Sequence, residues 1–333
     1  MTMFGWLERL RPKPLSPGLH AYRPNLGGAE ARVHLRVDDD GSAVALVNAS
    51  AALRLTASGA LMAKEILAGA SDDAAAQAVA RHFDGTTTQI RTDLAALRAT
   101  LQRLATAPGG AWPIEQFGGA HDAPIEAWLE LGGRPQAVVA EIDRLWDRGV
   151  PHVTLHLVGP VDASVLERAV ERAEDLGMIC GVRAPARLLS TDALERAAGA
   201  GLDCLQVPVL SAEPAEHDGV LGAGDHLAAV DLLGRCLELE VCPVLEVPLV
   251  EANADHLEEL ADLADSIDVE VLALWPALGE GEALLDPSDL PQLEAEAERL
   301  GESGRVHVVW SEPRVVADVG DAVARGPRDE EAR

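Results

Sequence analysis

Histidines and carboxylates recur on the predicted strands in the second half of this sequence. His152, Thr154 and His156 share one face of a predicted strand, because side chains alternate between the two faces of a strand. Two histidines and one carboxylate form a common ligand set for iron. Further candidates on other predicted strands are Glu130, Glu246 and His307. Only the alternation supports a metal, so we favour hydrogen-bonded packing of these polar groups.

Two charged residues lie in or beside apolar strands. Glu246 lies within Val244-Leu245-Glu246-Val247. If it points inward, burial raises its pKa and makes it an acid/base candidate; we favour an outward, solvated side chain. Arg183 ends its strand and can receive an anionic group or pair with a carboxylate. The candidate site at the carboxyl ends of the strands comprises Glu130, His156, Arg183, Glu246 and Trp275.

The four cysteines form neither a disulfide framework nor a zinc-binding pattern. Cys180, Cys204 and Cys242 lie on adjacent predicted strands and can meet inside the sheet, whereas Cys236 lies on a predicted helix. Because free cysteine is a common small core residue, we favour a structural role over metal binding.

The elements that position these residues alternate strictly between strand and helix. Strands are predicted at 125–131, 152–158, 178–183, 204–210, 241–250, 269–275 and 306–310, with helices at 136–148, 163–176, 191–200, 226–239, 254–266 and 289–300. Repeated β-α units predict an α/β fold with a parallel sheet. Six or seven strands favour a partial parallel (β/α)6 barrel, which we expect over residues 122–312 with a tail at 313–333.

The first third of the chain predicts a separate, small α+β module. Period-two alternation indicates three short strands at 33–37, 44–47 and 53–55. Three helices follow, the first capped by Thr56 and the last running from about Thr88 to Thr106. We expect a winged-helix-like unit of three strands and three helices over residues 29–107. An N-terminal segment (1–28) precedes it and a glycine-rich linker (108–121) follows.

Charge is distributed unevenly along the 333 residues. The net charge of −28 divides into +3 for residues 1–28, −1 for 29–107 and −30 for the remainder. An acidic surface repels a phosphate backbone, so we expect no nucleic-acid partner. No apolar run is long enough to span a bilayer, and the first residues carry no signal-peptide pattern, so we expect a cytoplasmic protein.

Residues 33–106 resemble the PqqD-like module, the peptide recognition element of ribosomal-peptide-modifying systems. The resemblance lies in Leu53-Arg54-Leu55, which leads into Thr56-Ala57-Ser58-Gly59-Ala60, and in the helices that follow. It implies a precursor or leader peptide as partner.

Physical reasoning supports peptide binding at this module, because the exposed edge of a three-stranded sheet can accept an added strand. The expected peptide-binding residues are the edge Ala51, Ala52, Leu53, Arg54 and Leu55, and the helical stripe Ile90, Leu94, Leu97 and Leu101. Alternatively, the stripe only packs on the sheet and the barrel covers the edge.

Residues 122–276 resemble the partial barrel of radical S-adenosylmethionine enzymes, particularly those preceded by a PqqD-like module. Matching stretches are Gly201-Leu202-Asp203-Cys204-Leu205-Gln206-Val207, Glu216-His217-Asp218, Gly222-Ala223-Gly224 and Ala252-Asn253-Ala254. In that family a Cys-x3-Cys-x2-Cys loop after the first strand binds a [4Fe–4S] cluster through its thiolates.

The departures from this family all fall in its active site. No cysteine loop follows Trp128-Leu129-Glu130-Leu131. The Gly-Gly-Glu-Pro of the second strand is Leu157-Val158-Gly159-Pro160, the Thr-Asn-Gly after the third is Ala184-Pro185-Ala186, and a serine of the fourth is Pro208. We therefore expect a degenerate barrel with no catalytic residues, no bound metal and no cofactor.

Three functions fit this sequence. The first is a non-catalytic pseudoenzyme that binds a peptide and serves an active radical S-adenosylmethionine enzyme as a scaffold. The second is an enzyme whose barrel has been re-equipped with metal or acid/base chemistry, and the third is a small-molecule sensor. We favour the first.

Overall fold

The computed structural model of this protein describes residues 15–48, 51–106, 114–117, 126–131, 135–148, 150–280 and 283–327. These residues form two compact units, one ending at Phe117 and one beginning at Glu126. Each unit has its own hydrophobic core.

The N-terminal unit is built on a five-stranded sheet of order β1-β4-β5-β6-β7. Its strands are β1 (Gly18–Tyr22), β4 (Val33–Val37), β5 (Ala43–Val47), β6 (Ala51–Leu55) and β7 (Ile114–Phe117), while β2 (Asn25–Leu26) and β3 (Ala29–Glu30) form a separate pair. Strands β1, β4, β5 and β6 pair antiparallel in this order, and β7 pairs parallel with β6. The three predicted strands are present as β4, β5 and β6; β1 and β7 are additional.

Three helices cover this sheet, as the sequence predicts: α1 (Ala57–Leu67), α2 (Asp72–Ala80) and α3 (Thr87–Ala105). A hydroxyl caps each of them. The side chains of Thr56, Ser71 and Thr86 accept hydrogen bonds from the backbone N–H three residues further on, which satisfies a donor that the first turn leaves free. The apolar stripe of α3 is buried in the core of the unit.

The C-terminal unit contains seven parallel strands in the order β14-β13-β12-β11-β10-β9-β8. They are β8 (Glu126–Leu131), β9 (His152–Leu157), β10 (Ile179–Arg183), β11 (Cys204–Pro208), β12 (Cys242–Leu249), β13 (Val271–Leu278) and β14 (His307–Trp310); the short β15 (Arg314–Val315) pairs with the end of β13. The predicted α/β fold class, with a small α+β unit before a partial parallel barrel, is confirmed.

Most of the helices of this unit connect these strands and pack on the outer face of the sheet, whereas α11 follows the last strand. The helices are α4 (Pro135–Asp147), α5 (Ala163–Leu176), α6 (Thr191–Gly199), α7 (Pro214–Leu221), α8 (Asp225–Glu238), α9 (Leu257–Ser266), α10 (Leu290–Glu302) and α11 (Val319–Arg325). Aliphatic residues such as Leu155, Val182 and Leu245 lie between sheet and helices. The alternate residues therefore point into the barrel. Helices α7 and α11 are additional to the six predicted. Among the described residues, no helix is long and apolar enough to cross a membrane.

Candidate functional site at the carboxyl ends of the barrel strands

Register brings side chains from four strands together inside the barrel. His156 of β9 is opposite Arg183 of β10, and Glu246 of β12 is opposite both Pro208 of β11 and Ala273 of β13. Alternation then places Trp275 on the same face of β13 as Ala273. The sequence-predicted residues His156, Arg183, Glu246 and Trp275 thus form one cluster, which we call the mouth cluster.

Arg183 is the centre of the mouth cluster and is fully buried. Its Nε donates to Glu246 Oε2 and its Nη2 to Glu246 Oε1, both at 2.8 Å, which is the bidentate geometry of strong arginine–carboxylate pairs. Trp275 Nε1 also donates to Glu246 Oε1, at 3.0 Å. Glu246 has zero exposure, so the expectation of an outward, solvated side chain is wrong. The strand faces the barrel at this position, and Arg183 supplies the counter-charge.

His156 completes the cluster as a hydrogen-bond acceptor. Arg183 Nη1 lies 2.9 Å from His156 Nε2, and a guanidinium can only donate. Nε2 therefore carries a lone pair, and the proton of the neutral ring is on Nδ1. Trp128 packs edge-on against this imidazole, with ring centroids 5.7 Å apart. The imidazole is held as a structural acceptor.

The helix α11 closes the barrel over this cluster. Arg183 Nη2 donates to the Val323 carbonyl at 2.8 Å, and Nη1 to the Ala324 carbonyl at 3.4 Å. These are carbonyls of the last turn of α11, where the helix dipole favours a cation. Gly326 follows with φ +68°, and a Cβ there would lie 2.4 Å from Arg183 Nε. Only glycine fits against the guanidinium.

An apolar layer seals the same end of the strands. Ala322 and Val323 of α11 pack against Trp275 and against residues that follow the strands, including Leu210 and Val250. Asn253 is buried and ties these loops together: its Nδ2 donates to the Leu210 and Pro248 carbonyls, and its Oδ1 accepts from the Val250 N–H. The usual substrate position of a β/α barrel is therefore filled by the protein's own residues.

Glu130, the fifth predicted residue of this site, has a different environment. It is opposite His156 in the register of β8 and β9, but its side chain is exposed. The exposed Glu130 thus lies on the strand next to the mouth cluster, at the same end of the sheet.

The two histidines of β9 belong to separate polar layers. His152 lies near Thr154 (3.4 Å) and Glu126 (3.8 Å), and Thr154 Oγ1 donates to Glu126 Oε1 at 2.8 Å. Burial lowers the pKa of His152, an effect that Glu126 partly opposes. His156 instead binds Arg183. Among the described residues, no three His, Cys, Asp or Glu side chains converge as a metal site. His152, Thr154 and His156 each lie within hydrogen-bonding distance of a polar side chain.

The cysteine side chains are divided between the two faces of the sheet. Cys180 lies in the core between sheet and helices, whereas Cys204 and Cys242 are opposite each other at the amino ends of β11 and β12. Burial raises the pKa of all three thiols, that of Cys242 to about 11. Thiols with raised pKa values are poor nucleophiles and poor metal ligands at neutral pH.

A second buried polar group near the mouth was not predicted. His217 Nδ1 accepts from the Leu210 N–H at 3.2 Å, so Nε2 carries the proton that is shared with Asp225 Oδ2 at 3.1 Å. His226 packs edge-on against His217, with centroids 5.3 Å apart. Sequence reasoning identified Glu216-His217-Asp218 only as a family-like stretch; its contact with Asp225 depends on the turn between α7 and α8.

The predicted peptide-binding residues of the N-terminal unit are all buried. Ala51–Leu55 form β6, which lies between β5 and β7, so the expectation of an exposed edge there is wrong. Residues 114–117, assigned to the linker from sequence, supply the covering strand β7. The stripe Ile90, Leu94, Leu97 and Leu101 packs in the core of the unit. The sheet edges are β1 and β7.

Comparison with solved structures identifies the fold. The chain is similar to SuiB of Streptococcus suis solved bound to S-adenosylmethionine, with a TM-score of 0.57 and 10% identity over 90% of this chain and 73% of SuiB. A second SuiB structure gives a TM-score of 0.54 at 12% identity, over 84% of this chain and 70% of SuiB. SuiB bound to its precursor peptide SuiA gives a TM-score of 0.52 at 11% identity, over 90% of this chain and 73% of SuiB. A radical S-adenosylmethionine-like fold is thus supported. No protein-family model and no curated protein matches the sequence.

The residues present do not fit the iron–sulfur cluster that this fold implies. The first cysteine in the sequence is Cys180, so the connection after β8 has no thiol. At the carboxyl ends of the strands, Arg183 and the carbonyls of α11 bond to each other. A cationic guanidinium with all its donors engaged offers no ligand to iron.

Proposed function

We propose that this chain is a non-catalytic, peptide-binding partner of an active radical S-adenosylmethionine enzyme that modifies peptides. The observation that carries the proposal is the closed barrel mouth. A barrel enzyme holds its substrate at the carboxyl ends of the strands. In this chain that place is filled by a hydrogen-bonded network of Arg183, Glu246 and the last turn of α11.

The energetics of the mouth cluster support a structural role. Five donor contacts of Arg183 are made to the protein, two of them to a fully buried carboxylate. Removing one partner of a buried pair costs about 3–5 kcal/mol, because the remaining charge is left uncompensated. A ligand that opened this site would have to replace all of these contacts.

The peptide-binding part of the proposal rests on the N-terminal unit. SuiB, which is similar over 90% of this chain, has been solved bound to a precursor peptide. On this chain we place the peptide on β6, in the position of β7. Strand β7 has only four residues and is the one parallel neighbour in a sheet whose other pairs are antiparallel. Parallel pairing is slightly less stable per residue, which favours exchange for a better strand.

Proline substitution in β7 tests this exchange on the full-length protein. Alternate residues of a strand bond to the same neighbour, so only one of Glu115→Pro and Gln116→Pro removes an N–H that faces β6. That variant should bind a candidate leader peptide from the same host about fivefold more tightly, since one hydrogen bond of the competing strand contributes about 1 kcal/mol. Fluorescence anisotropy of the labelled peptide measures the affinity.

The other proline variant is the matched control and should bind like the parent. Hydrogen exchange should show altered protection in β6 upon binding. A peptide that binds both variants and the parent equally, or changes exchange only in the barrel, contradicts binding on β6.

The alternative of a re-equipped enzyme has one observation in its favour, the burial of Glu246 and His156 side by side with Arg183. Both groups are already used as hydrogen-bond acceptors of the same guanidinium. Stoichiometric metal after purification would favour the enzyme over the scaffold.

A further inference from the structure

The last strand of the barrel sheet presents an open edge. Among the described strands, β14 pairs only with β13. The His307 N–H donates to the Glu270 carbonyl at 2.6 Å and the Ser311 N–H to the Leu274 carbonyl at 2.9 Å. Because backbone groups alternate in direction along a strand, the N–H and C=O of Val308 and Trp310 point away from β13. This edge can accept another strand.

A groove runs beside the edge, between β14 and α10. Its volume is about 590 Å³, and its apolar lining consists of Ala297, Gly301, Val308 and Trp310. A Cβ on Gly301 would lie 3.7 Å from Val308. The absence of a side chain at Gly301 therefore leaves space in the groove beside Val308. Val308 and Trp310 are each only partly covered by the barrel core.

The helical wall of the groove carries three carboxylates. Glu294, Glu298 and Glu302 follow each other at intervals of four residues, so they share one side of α10, and all three are exposed. In the described part of the chain none of them is in an ion pair, whereas Glu258 on the neighbouring helix pairs with both Arg299 and Arg305. Three like charges without counter-charge are a complementary surface for a cation.

We propose that β14 and α10 form a docking site for an extended, basic segment of a partner protein. The segment adds as a strand to β14, places lysine or arginine side chains beside the three glutamates, and packs apolar side chains on Val308 and Trp310. A second copy of this chain is a poor occupant, because each copy carries a net charge of −28. This surface is separate from β6 and does not depend on peptide binding there.

Model peptides test the site on the full-length protein. The probes are a fluorescein-labelled heptapeptide of alternating lysine and valine and its glutamate–valine counterpart. The lysine peptide should bind, at least tenfold more tightly than the glutamate peptide, and its binding should weaken between 0.05 and about 0.5 M salt as screening increases. Two versions of the lysine peptide are N-methylated at alternate sets of residues. They should differ in affinity, because only one edge of an added strand pairs with β14.

Charge and apolar variants locate the binding. The triple variant Glu294→Gln, Glu298→Gln and Glu302→Gln should lower the affinity for the lysine peptide about tenfold, as expected for three exposed charge pairs. The control variant Glu171→Gln, Asp175→Asn and Asp192→Asn removes three exposed charges on α5 and α6 and should bind like the parent. Trp310→Ala should also weaken binding, with helix content by circular dichroism confirming that it folds.

Several results would overturn the proposal. The first is that the lysine peptide does not bind, and the second is that the two N-methylated versions bind equally well. The third is that the triple variant and its control lose affinity to the same extent. If the parent binds no peptide and the triple variant dimerises, the carboxylates instead protect a bare strand edge from self-association.

Discussion

Arg183 bonds to two neighbouring side chains and to a helix almost a whole domain later in the sequence. Its partners Glu246 and Val323 lie 63 and 140 residues away. At the scale of single residues, this guanidinium takes the place of a ligand at the barrel mouth. Its contacts are charge-assisted and buried, so changes to them should be costly and should not be additive.

Substitution of Arg183 should therefore reveal the coupling. Arg183→Met leaves Glu246 buried without a counter-charge, and we expect a loss of about 3–5 kcal/mol in the free energy of unfolding. The double variant Arg183→Met, Glu246→Leu should recover much of that loss, because an apolar pair of similar volume needs no solvation. Urea denaturation followed by tryptophan fluorescence measures both. A single variant that loses under about 1 kcal/mol would show that the pair is dispensable.

His152 should make stability depend on pH. Burial lowers its pKa in the folded protein, so the unfolded chain takes up a proton near the ordinary value of about 6.5 while folded His152 stays neutral. The stabilisation is thus present above about pH 6.5 and is lost as the pH falls below it, by at most about 1.4 kcal/mol per unit. Unfolding free energies from pH 5 to 8 should show a smaller slope for His152→Gln. In the control variant His82→Gln, which changes an exposed histidine, the unfolding free energy should vary with pH as in the parent. Equal pH dependence in all three proteins would disprove the assignment to His152.

At the scale of elements, α11 is the helix that covers the barrel mouth. It has only seven residues, too few to be stable alone, so its docking must come from tertiary contacts. Those contacts are the carbonyls on Arg183 and the packing of Ala322 and Val323.

Gly326 offers a sharp test of this docking, with Gly304 as a matched control. Both have positive φ values, +68° and +70°, but a Cβ has open space at Gly304 and meets Arg183 at Gly326. Gly304→Ala should lower the free energy of unfolding by about 1 kcal/mol, from backbone strain alone. Gly326→Ala should cost more and should speed tryptic cleavage after Arg325 several-fold. Equal costs and equal cleavage would mean that the clash is relieved without moving α11.

Strand β7 is the element that changes the peptide-binding hypothesis most. It covers β6 with a parallel ladder from Ala52↔Ile114 to Leu55↔Phe117. A four-residue strand in a glycine-rich stretch carries little periodicity, and its identity as a strand comes from its partner.

At the scale of the whole molecule, charge is the dominant property. Residues after 107 carry a net charge of −30, which the net +2 of the preceding residues brings to −28 for the whole sequence. Many of these carboxylates are on the helices around the barrel. Such a field favours a partner with a basic face and disfavours self-association.

A complex with the active radical S-adenosylmethionine enzyme that we propose as the partner should therefore weaken with salt. Gel filtration of the two co-expressed proteins between about 0.05 and 0.5 M salt should show a complex that dissociates as exposed charges are screened over roughly 8–10 Å. A complex whose stability does not depend on salt concentration would indicate an apolar interface. A monomer under all conditions would remove the scaffold hypothesis and favour the re-equipped enzyme.

The protein should also fail to acquire a catalytic cluster. No cysteine precedes Cys180, and the four thiols are spread over three strands and one helix. Anaerobic reconstitution with iron and sulfide should leave iron far below four per chain, and added S-adenosylmethionine should stay intact. Iron near that stoichiometry, together with cleavage of S-adenosylmethionine, would refute the pseudoenzyme hypothesis.

Local periodicity in the sequence was sufficient to predict the framework. The seven barrel strands, six of their helices and the hydroxyl cap at Thr56 depend on spacing within ten residues or so, and each is present in the structure. The net charge and the lack of a cysteine loop are likewise properties of the sequence alone.

The state of each candidate site was decided only by tertiary structure. Alternation placed Glu246 on one of two faces, but which face points inward depends on the packing of helices against the other. The edge of β6 is covered by a strand about sixty residues later, and the barrel mouth by a helix that contacts Arg183 across 140 residues. Contacts at such separations leave no local pattern, because their free energy comes from burial and pairing in the folded chain.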